Sequence, residues 1–334
     1  MIEGYSSVSS VVDEQVQSLN MVTAAGRSLS LSKLQFCPKR LVRWNRCRQT
    51  NRNHRCMSTD AAAQHMPMAE VQGPTNNDTS SGLADAIRPQ FDNKTPMVFR
   101  GACQSMPAFQ KWSDSSYFPE TLPPSETGAV EIGGSYSSGQ TDRAEIPIQD
   151  YLQYLKLFEE RHGRQGSAEN PWERPASISS DELVYMAQND LPRALYPDIE
   201  IPAFCCQEED THQVGHGRLY SVMWWLGPRA CVSPLHFDPL DNLLMQFVGR
   251  KVVWLLDPNP GGMWHYAGHD GQQANTSPVN PEAVDTARYP RFLQEGPVAQ
   301  RCVLHPGDML YIPSKWWHYV RSVDTSVSVN VWWR

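Results

Sequence analysis

A chain of 334 residues with 40% hydrophobic and 10% aromatic content has enough apolar material for a sizeable core, as one large domain or two small ones. Its formal charge of -7 hides an asymmetry: residues 15–59 carry nine Lys or Arg and no acid, so the remainder holds 20 basic against 36 acidic residues, or -16. An acidic body argues against broad binding of nucleic-acid phosphates, and no apolar run approaches the roughly 20 residues that span a bilayer.

The eight cysteines include no Cys-x-x-Cys pair, which argues against a disulfide framework or a thiolate zinc site and points to a reducing intracellular compartment. Residues 1–90 read as a poorly ordered N-terminal segment, rich in Ser, Thr, Asn, Gln and Ala without sustained apolar periodicity. Within it, 21–57 is Arg-rich and acid-free, the composition of a mitochondrial transit peptide. Glu3, Asp13 and Glu14 precede that run, so this reading places the start at Met21; the alternative is a solvated basic tail on a cytoplasmic or nuclear protein.

The folded body, 91–334, is expected to open with a short strand at 95–101 and a short helical segment at 106–112. Residues 129–133 read as a strand that carries Glu131 between apolar neighbours. A helix is predicted over 147–158, from Pro147 through the apolar face of Ile148, Tyr151, Leu152, Leu155 and Phe158, with Gly163 beyond its end. Residues 183–188 read as a strand, and Asp190 as the cap of a short helix stopping before Pro197. Eight short strands follow, at 219–226, 234–238, 243–248, 251–256, 299–304, 309–312, 317–322 and 325–333, which indicates a sandwich or barrel of jelly-roll type. The last alternates cleanly, with Val327, Val329, Val331 and Trp333 on one face and Ser326, Ser328, Asn330 and Trp332 on the other. Residues 257–283 read as a long loop, in which His265 and His269 are expected to be solvated.

The chemistry concentrates in Ser233-Pro-Leu-His236-Phe-Asp238-Pro-Leu-Asp-Asn242. On a strand, His236 and Asp238 share one face while Leu235 and Phe237 share the other. An imidazole and a carboxylate on an inner face are costly unless paired, hydrogen-bonded or bound to a metal. His318 is the third candidate, and two His with one carboxylate suit non-haem Fe(II) with positions left open for chemistry. Against this stands chance pairing among ten histidines. Lys251 heads the otherwise apolar run Lys-Val-Val-Trp-Leu-Leu. Pointing inward it needs an anion, such as a metal-bound dicarboxylate; pointing outward it is a hairpin lysine after Gly249. Ser233 and Asn242 flank the His-x-Asp unit and can donate to the same anion.

Ser-Pro-Leu-His-x-Asp-Pro-x-x-Asn, then Gln-x-x-Gly-Arg-Lys, Asn-Thr-Ser, Pro-Gly-x-x-Leu-x-Ile-Pro-x-x-x-Trp-His-Tyr-Val-Arg and Ser-x-Ser-Val-x-x-Trp-Trp follow one another in order. With Val-Phe-Arg-Gly-Ala-Cys, Val-Glu-Ile-Gly, Tyr-Met-Ala-Gln and Trp-Leu-Gly-Pro upstream, the chain from Pro96 to Trp333 resembles the JmjC-domain 2-oxoglutarate oxygenases. The resemblance implies a mainly β fold, a double-stranded β-helix (jelly-roll, cupin) core with flanking N-terminal helices. It further implies that His236, Asp238 and His318 bind Fe(II), and that Lys251, Tyr185, Asn242 and Ser233 hold the far carboxylate of 2-oxoglutarate. Glu131, Gln188 and Trp225 match positions lining the substrate pocket, where the acid would face an arginine guanidinium. The implied reaction consumes O2, releases succinate and CO2, and hydroxylates an arginyl side chain of a protein substrate. Demethylation of N-methyl-lysine and hydroxylation of another residue or of tRNA are alternatives. So is a non-catalytic cupin-like binding module, against which the intact His236, Asp238, His318 and Lys251 speak.

Overall fold

In the computed structural model the described residues are 20–23, 28–30, 65–73, 79–133, 142–166, 170–175, 178–210, 212–258, 275–296 and 298–334. Their strands, in chain order, are β1 (Asn20–Thr23), β2 (Ser28–Ser30), β3 (His65–Pro67), β4 (Glu70–Gln72), β5 (Met97–Arg100), β6 (Thr127–Ile132), β7 (Asp142–Pro147), β8 (Val184–Asp190), β9 (Leu219–Gly227), β10 (Val232–Phe237), β11 (Asp241–Val248), β12 (Lys251–Leu256), β13 (Ala299–Leu304), β14 (Met309–Ile312), β15 (Trp317–Ser322) and β16 (Ser326–Trp333). They form an 11-stranded sheet ordered β2-β1-β7-β6-β8-β9-β16-β11-β14-β5-β4 and a 5-stranded sheet ordered β10-β15-β12-β13-β3. This is the expected jelly-roll arrangement of two facing sheets, and each of the eight strands read downstream of Leu219 is present.

The alternation in β16 divides the larger sheet into two environments. Val327, Val329, Val331 and Trp333 join a core with Trp224, Met245 and Phe247, closed on the outside by the helices Thr79–Asn93 and Ile148–His162. The other face of that sheet turns toward the smaller one. There Leu244, Leu310 and Ile312 meet Val253, Leu255, Leu304 and Val320 to form the layer between the sheets.

Helix Ile148–His162 runs one turn past its expected end. The extra turn stops at Gly163, at φ 77, whose N–H bonds Glu159 O at 2.8 Å. Inside, the Tyr151 hydroxyl lies 2.9 Å from the Val184 carbonyl and 2.8 Å from that of Leu226, and accepts the Met186 N–H at 3.2 Å. One buried phenol thus ties the helix to β8 and β9, the strands carrying Tyr185 and Trp225.

Two expectations change. Residues 65–73 and 79–93 join the folded body: β3 and β4 pair in parallel with β13 and β5, and Leu83, Ala84 and Ile87 enter the core. Strands of three residues at sheet edges leave no periodic signal, so composition alone did not reveal them. Asp190 ends β8 rather than capping a helix, and the following 3-10 segment, Arg193–Asp198, runs through Pro197. Proline fits there because its fixed φ matches a helical turn and the cap N–H of Ile199 bonds Tyr196 O at 3.3 Å. Apart from 21–23 and 28–30, the basic run 21–57 lies outside the described residues, as do His265 and His269. No helix of the described residues is long and apolar enough to cross a membrane.

Replacing Tyr151 by Phe strips the hydroxyl from two buried carbonyls and one N–H. Such an orphaned buried group costs about 1–3 kcal/mol. The Tyr151→Phe protein should therefore unfold at lower urea concentration; an unchanged midpoint would show that this phenol does not bind the helix to β8 and β9.

Candidate metal centre and cofactor pocket

Strands β10 and β15 are antiparallel neighbours whose register sets His236 opposite His318, with ring centroids 4.1 Å apart. A bulge between Ser233 and His236 interrupts the ladder just before the first histidine. Asp238 follows directly after β10, and its carbonyl is held by the Lys315 N–H at 2.7 Å. Each imidazole is fixed through Nδ1, which bonds a backbone carbonyl: Pro234 O at 2.7 Å for His236 and Trp316 O at 3.0 Å for His318. A carbonyl can only accept, so Nδ1 carries a proton, and in the neutral tautomer that this selects the lone pair sits on Nε2.

Both lone pairs converge on one carboxylate. Nε2 of His236 is 4.0 Å from Asp238 Oδ1, and Nε2 of His318 is 3.7 Å from Oδ2. These gaps are too long for hydrogen bonds, and one donor atom from each residue falls within 4.8 Å of the other two. Burial, and then the neighbouring His236 ring, push the His318 imidazolium down to about 4, against the pull of Asp238. A neutral ring at neutral pH is the form that ligates a metal. The donor set, two imidazoles presenting Nε2 and a carboxylate, therefore fits an Fe(II) ion.

The same cavity contains the Lys251 amine. Lys251 is buried at the head of β12, and its Nζ donates to Ser328 Oγ at 2.6 Å. Burial pushes its ammonium down to about 7, only partly offset by Cys231, and no acid pairs with it among the described residues. Asn242, also buried, is oriented by Asn330, whose Nδ2 donates to its Oδ1 at 2.7 Å. Ser233, Tyr185 and Trp225 complete the polar and aromatic lining, and Leu244, Ile312 and Val320 supply apolar wall. The Tyr185 ring lies 5.9 Å from that of Trp225. It passes so close to β9 that a Cβ on Gly227 would sit 2.5 Å from it, which explains the glycine.

Eight of the ten residues singled out from sequence thus line one cavity. Glu131 and Gln188 do not. Glu131 lies opposite Tyr185 in the β6–β8 register, hence on the same face of the sheet, and is buried. Its Oε1 accepts the Arg143 guanidinium at 2.5 Å, while Oε2 is buried with no hydrogen-bond partner among the described residues. Burial raises its carboxyl above the ordinary value despite Arg143. Gln188 is exposed in a bulge of β8, at φ 53. The sequence reading missed Ser328, Asn330 and Trp332 as site residues. The alternation had placed them on one face, but nothing local said what that face met.

A model of the cupin-like domain matches residues 86–334 of the chain. The chain is 28% identical over 341 residues to lysine-specific demethylase 8 of Danio rerio, covering 97% of this chain and 75% of the relative. It is 33% identical over 253 residues to Jumonji C domain-containing protein 5 of Drosophila melanogaster, covering 73% of this chain and 55% of that one. To the bifunctional peptidase and (3S)-lysyl hydroxylase JMJD7 of Homo sapiens it is 28% identical over 259 residues, covering 71% and 77%. The chain spans about half the length of the fly relative. The matched domain, the ordered series of relatives and the converging His-Asp-His donors agree: this chain belongs to the cupin-like JmjC family of 2-oxoglutarate-dependent dioxygenases.

Proposed function

We propose that the chain is an Fe(II)- and 2-oxoglutarate-dependent protein hydroxylase that acts on a cationic side chain, arginyl in preference. The observation that carries this reading is the meeting of two Nε2 lone pairs, a carboxylate and a buried lysine amine in one cavity. His236, Asp238 and His318 would hold the iron. Iron with 2-oxoglutarate and O2 supplies insertion of one oxygen atom into a C–H bond, with succinate and CO2 as co-products.

The chain's own contribution is binding and exclusion. Lys251 would receive the far carboxylate of 2-oxoglutarate, whose charge stabilises the protonated amine that burial disfavours. Ser328 fixes the direction of Nζ, and Asn330 fixes Asn242 beside it. Tyr185 and Ser233, which line the same cavity, would flank that anion, and Leu244, Ile312 and Val320 would keep water from the wall behind it. A non-catalytic module has no need of a buried amine without an acid partner.

For the substrate, Glu131 supports a cation. Its carboxylate already accepts one guanidinium, from Arg143, and keeps a second oxygen buried without a partner among the described residues. The Trp225 face lies across Tyr185 on the same side of the sheet. Gln188, exposed in its bulge, would join this pocket only by contact with the substrate backbone or a neighbouring side chain. A second reading, oxidation of a lysyl or N-methyl-lysyl side chain, draws on the relatives named as a lysine-specific demethylase and a lysyl hydroxylase. Oxygen insertion at an N-methyl carbon releases that carbon, so the carbon presented to the metal decides the product.

Anaerobic loading with Fe(II), followed by exposure to O2 with 2-oxoglutarate, should yield succinate from the wild-type protein and none from His236→Ala. Equal release from both would end the oxygenase reading. Lys251→Met should lose 2-oxoglutarate binding by calorimetry while the ligand-free protein folds as stably or more so. The unfolded lysine titrates near 10.4, about three units above the folded value. Between those values the unfolded chain binds the extra proton, so wild-type stability relative to Lys251→Met should increase as pH rises from about 7 to about 10. A constant difference across that window would place the amine in water. In a library of arginine- and lysine-containing peptides, the gain of one oxygen should fall on arginine and diminish with Glu131→Gln; gain confined to lysine would favour the second reading.

A further inference from the structure

We infer that Trp332 is a positioning residue for the metal centre: its indole N–H holds Oδ2 of Asp238 and so leaves Oδ1 as the carboxylate atom that ligates. The inference rests on the reading of His236, Asp238 and His318 as metal ligands. Nε1 of Trp332 donates to Oδ2 at 3.0 Å, the one hydrogen bond to either carboxylate oxygen among the described residues. The backbone of Asp238 is fixed separately, through its carbonyl and Lys315, which leaves the side-chain torsions to Trp332.

The indole is itself held in place. Trp332 is buried in β16, in register with Asn242 on β11 and Ser221 on β9, so strands on both sides constrain it. Its neighbours on the same face act alike, Ser328 on Lys251 and Asn330 on Asn242. Three consecutive residues of that face therefore each orient one polar side chain of the cavity. Trp333, on the opposite face, shows what a tryptophan serving packing does with its N–H: it donates to the backbone carbonyl of Val214 at 3.3 Å.

The chemical consequence concerns vacant positions. A carboxylate with both oxygens free can take a metal through two atoms, and the second atom occupies a position that the open site keeps for exchangeable ligands. A neutral donor on Oδ2 disfavours that mode. It also makes Asp238 a fixed ligand instead of a rotating one, the usual role of an outer partner.

The test uses the full chain and Co(II), whose visible absorption reports coordination, with the charge-transfer band of anaerobic Fe(II) and 2-oxoglutarate as second readout. Trp332→Phe keeps an aromatic ring and removes the N–H. It is expected to weaken Co(II) roughly 10- to 100-fold and to alter both spectra. Trp332→His, with a ring N–H, should recover part of the loss, and Trp333→Phe should bind as wild type does. Unaltered affinity and spectra in Trp332→Phe would overturn the inference, with the metal-site reading intact. Wild-type protein that binds no Co(II) would overturn both. Infrared difference spectra of the wild-type protein, with and without metal, need no variant: carboxylate bands of one-oxygen ligation are expected, and a two-oxygen signature refutes the assignment.

Discussion

The register between β10 and β15 is the constraint on which this protein's chemistry depends. It sets His236 opposite His318 and leaves Asp238 at the strand end between their Nε2 atoms. Two buried imidazoles and a half-buried carboxylate held together are unfavourable without further partners. The fold manages part of that cost by giving each Nδ1 a backbone carbonyl and Asp238 an indole N–H. The two Nε2 atoms and the carboxylate are aimed at one point. A one-residue slip of β15 would turn His318 to the outer face and bring Tyr319 inward.

That outer face has its own anchor. Tyr319 and Arg321 alternate with His318 along β15, and both bond the Glu282 carboxylate at 2.8 Å. Arg321 is almost wholly buried, so its guanidinium requires that acid. Glu282 belongs to the segment 275–296, whose Thr276 bridges back to His236 and whose Ser277 N–H bonds Leu235 O at 2.7 Å. The two strands carrying the histidines are thus braced from behind by one ion cluster and one short bridge.

The facing sheet supplies the complement. β16 spends one face on the hydrophobic core and the other on Ser328, Asn330 and Trp332, each touching a different polar residue of the cavity. Alternation with period two lets one strand serve stability and site geometry without compromise between them. Farther along the same sheet, Glu131 and Arg143 mark where the polar surface continues beyond the cavity.

The sequence by itself determined the jelly-roll strands and singled out the candidate ligands and Lys251. Those features are local: alternation within a strand, His-x-Asp spacing and one lysine before an apolar run are visible in linear order. It also limited what Lys251 could do, since an inward amine needs an anion. Only the tertiary structure decided which polar groups meet. Trp332 is 94 residues from Asp238, Asn330 is 88 from Asn242, and Ser328 is 77 from Lys251. Such pairs follow from strand order and register, which no local pattern encodes. The same reason explains the misses. The edge strands of residues 65–72 form only because β13 and β5 offer open edges. Gln188 leaves the cavity because a bulge turns it outward, and Glu131 meets Arg143 because β7 lies beside β6.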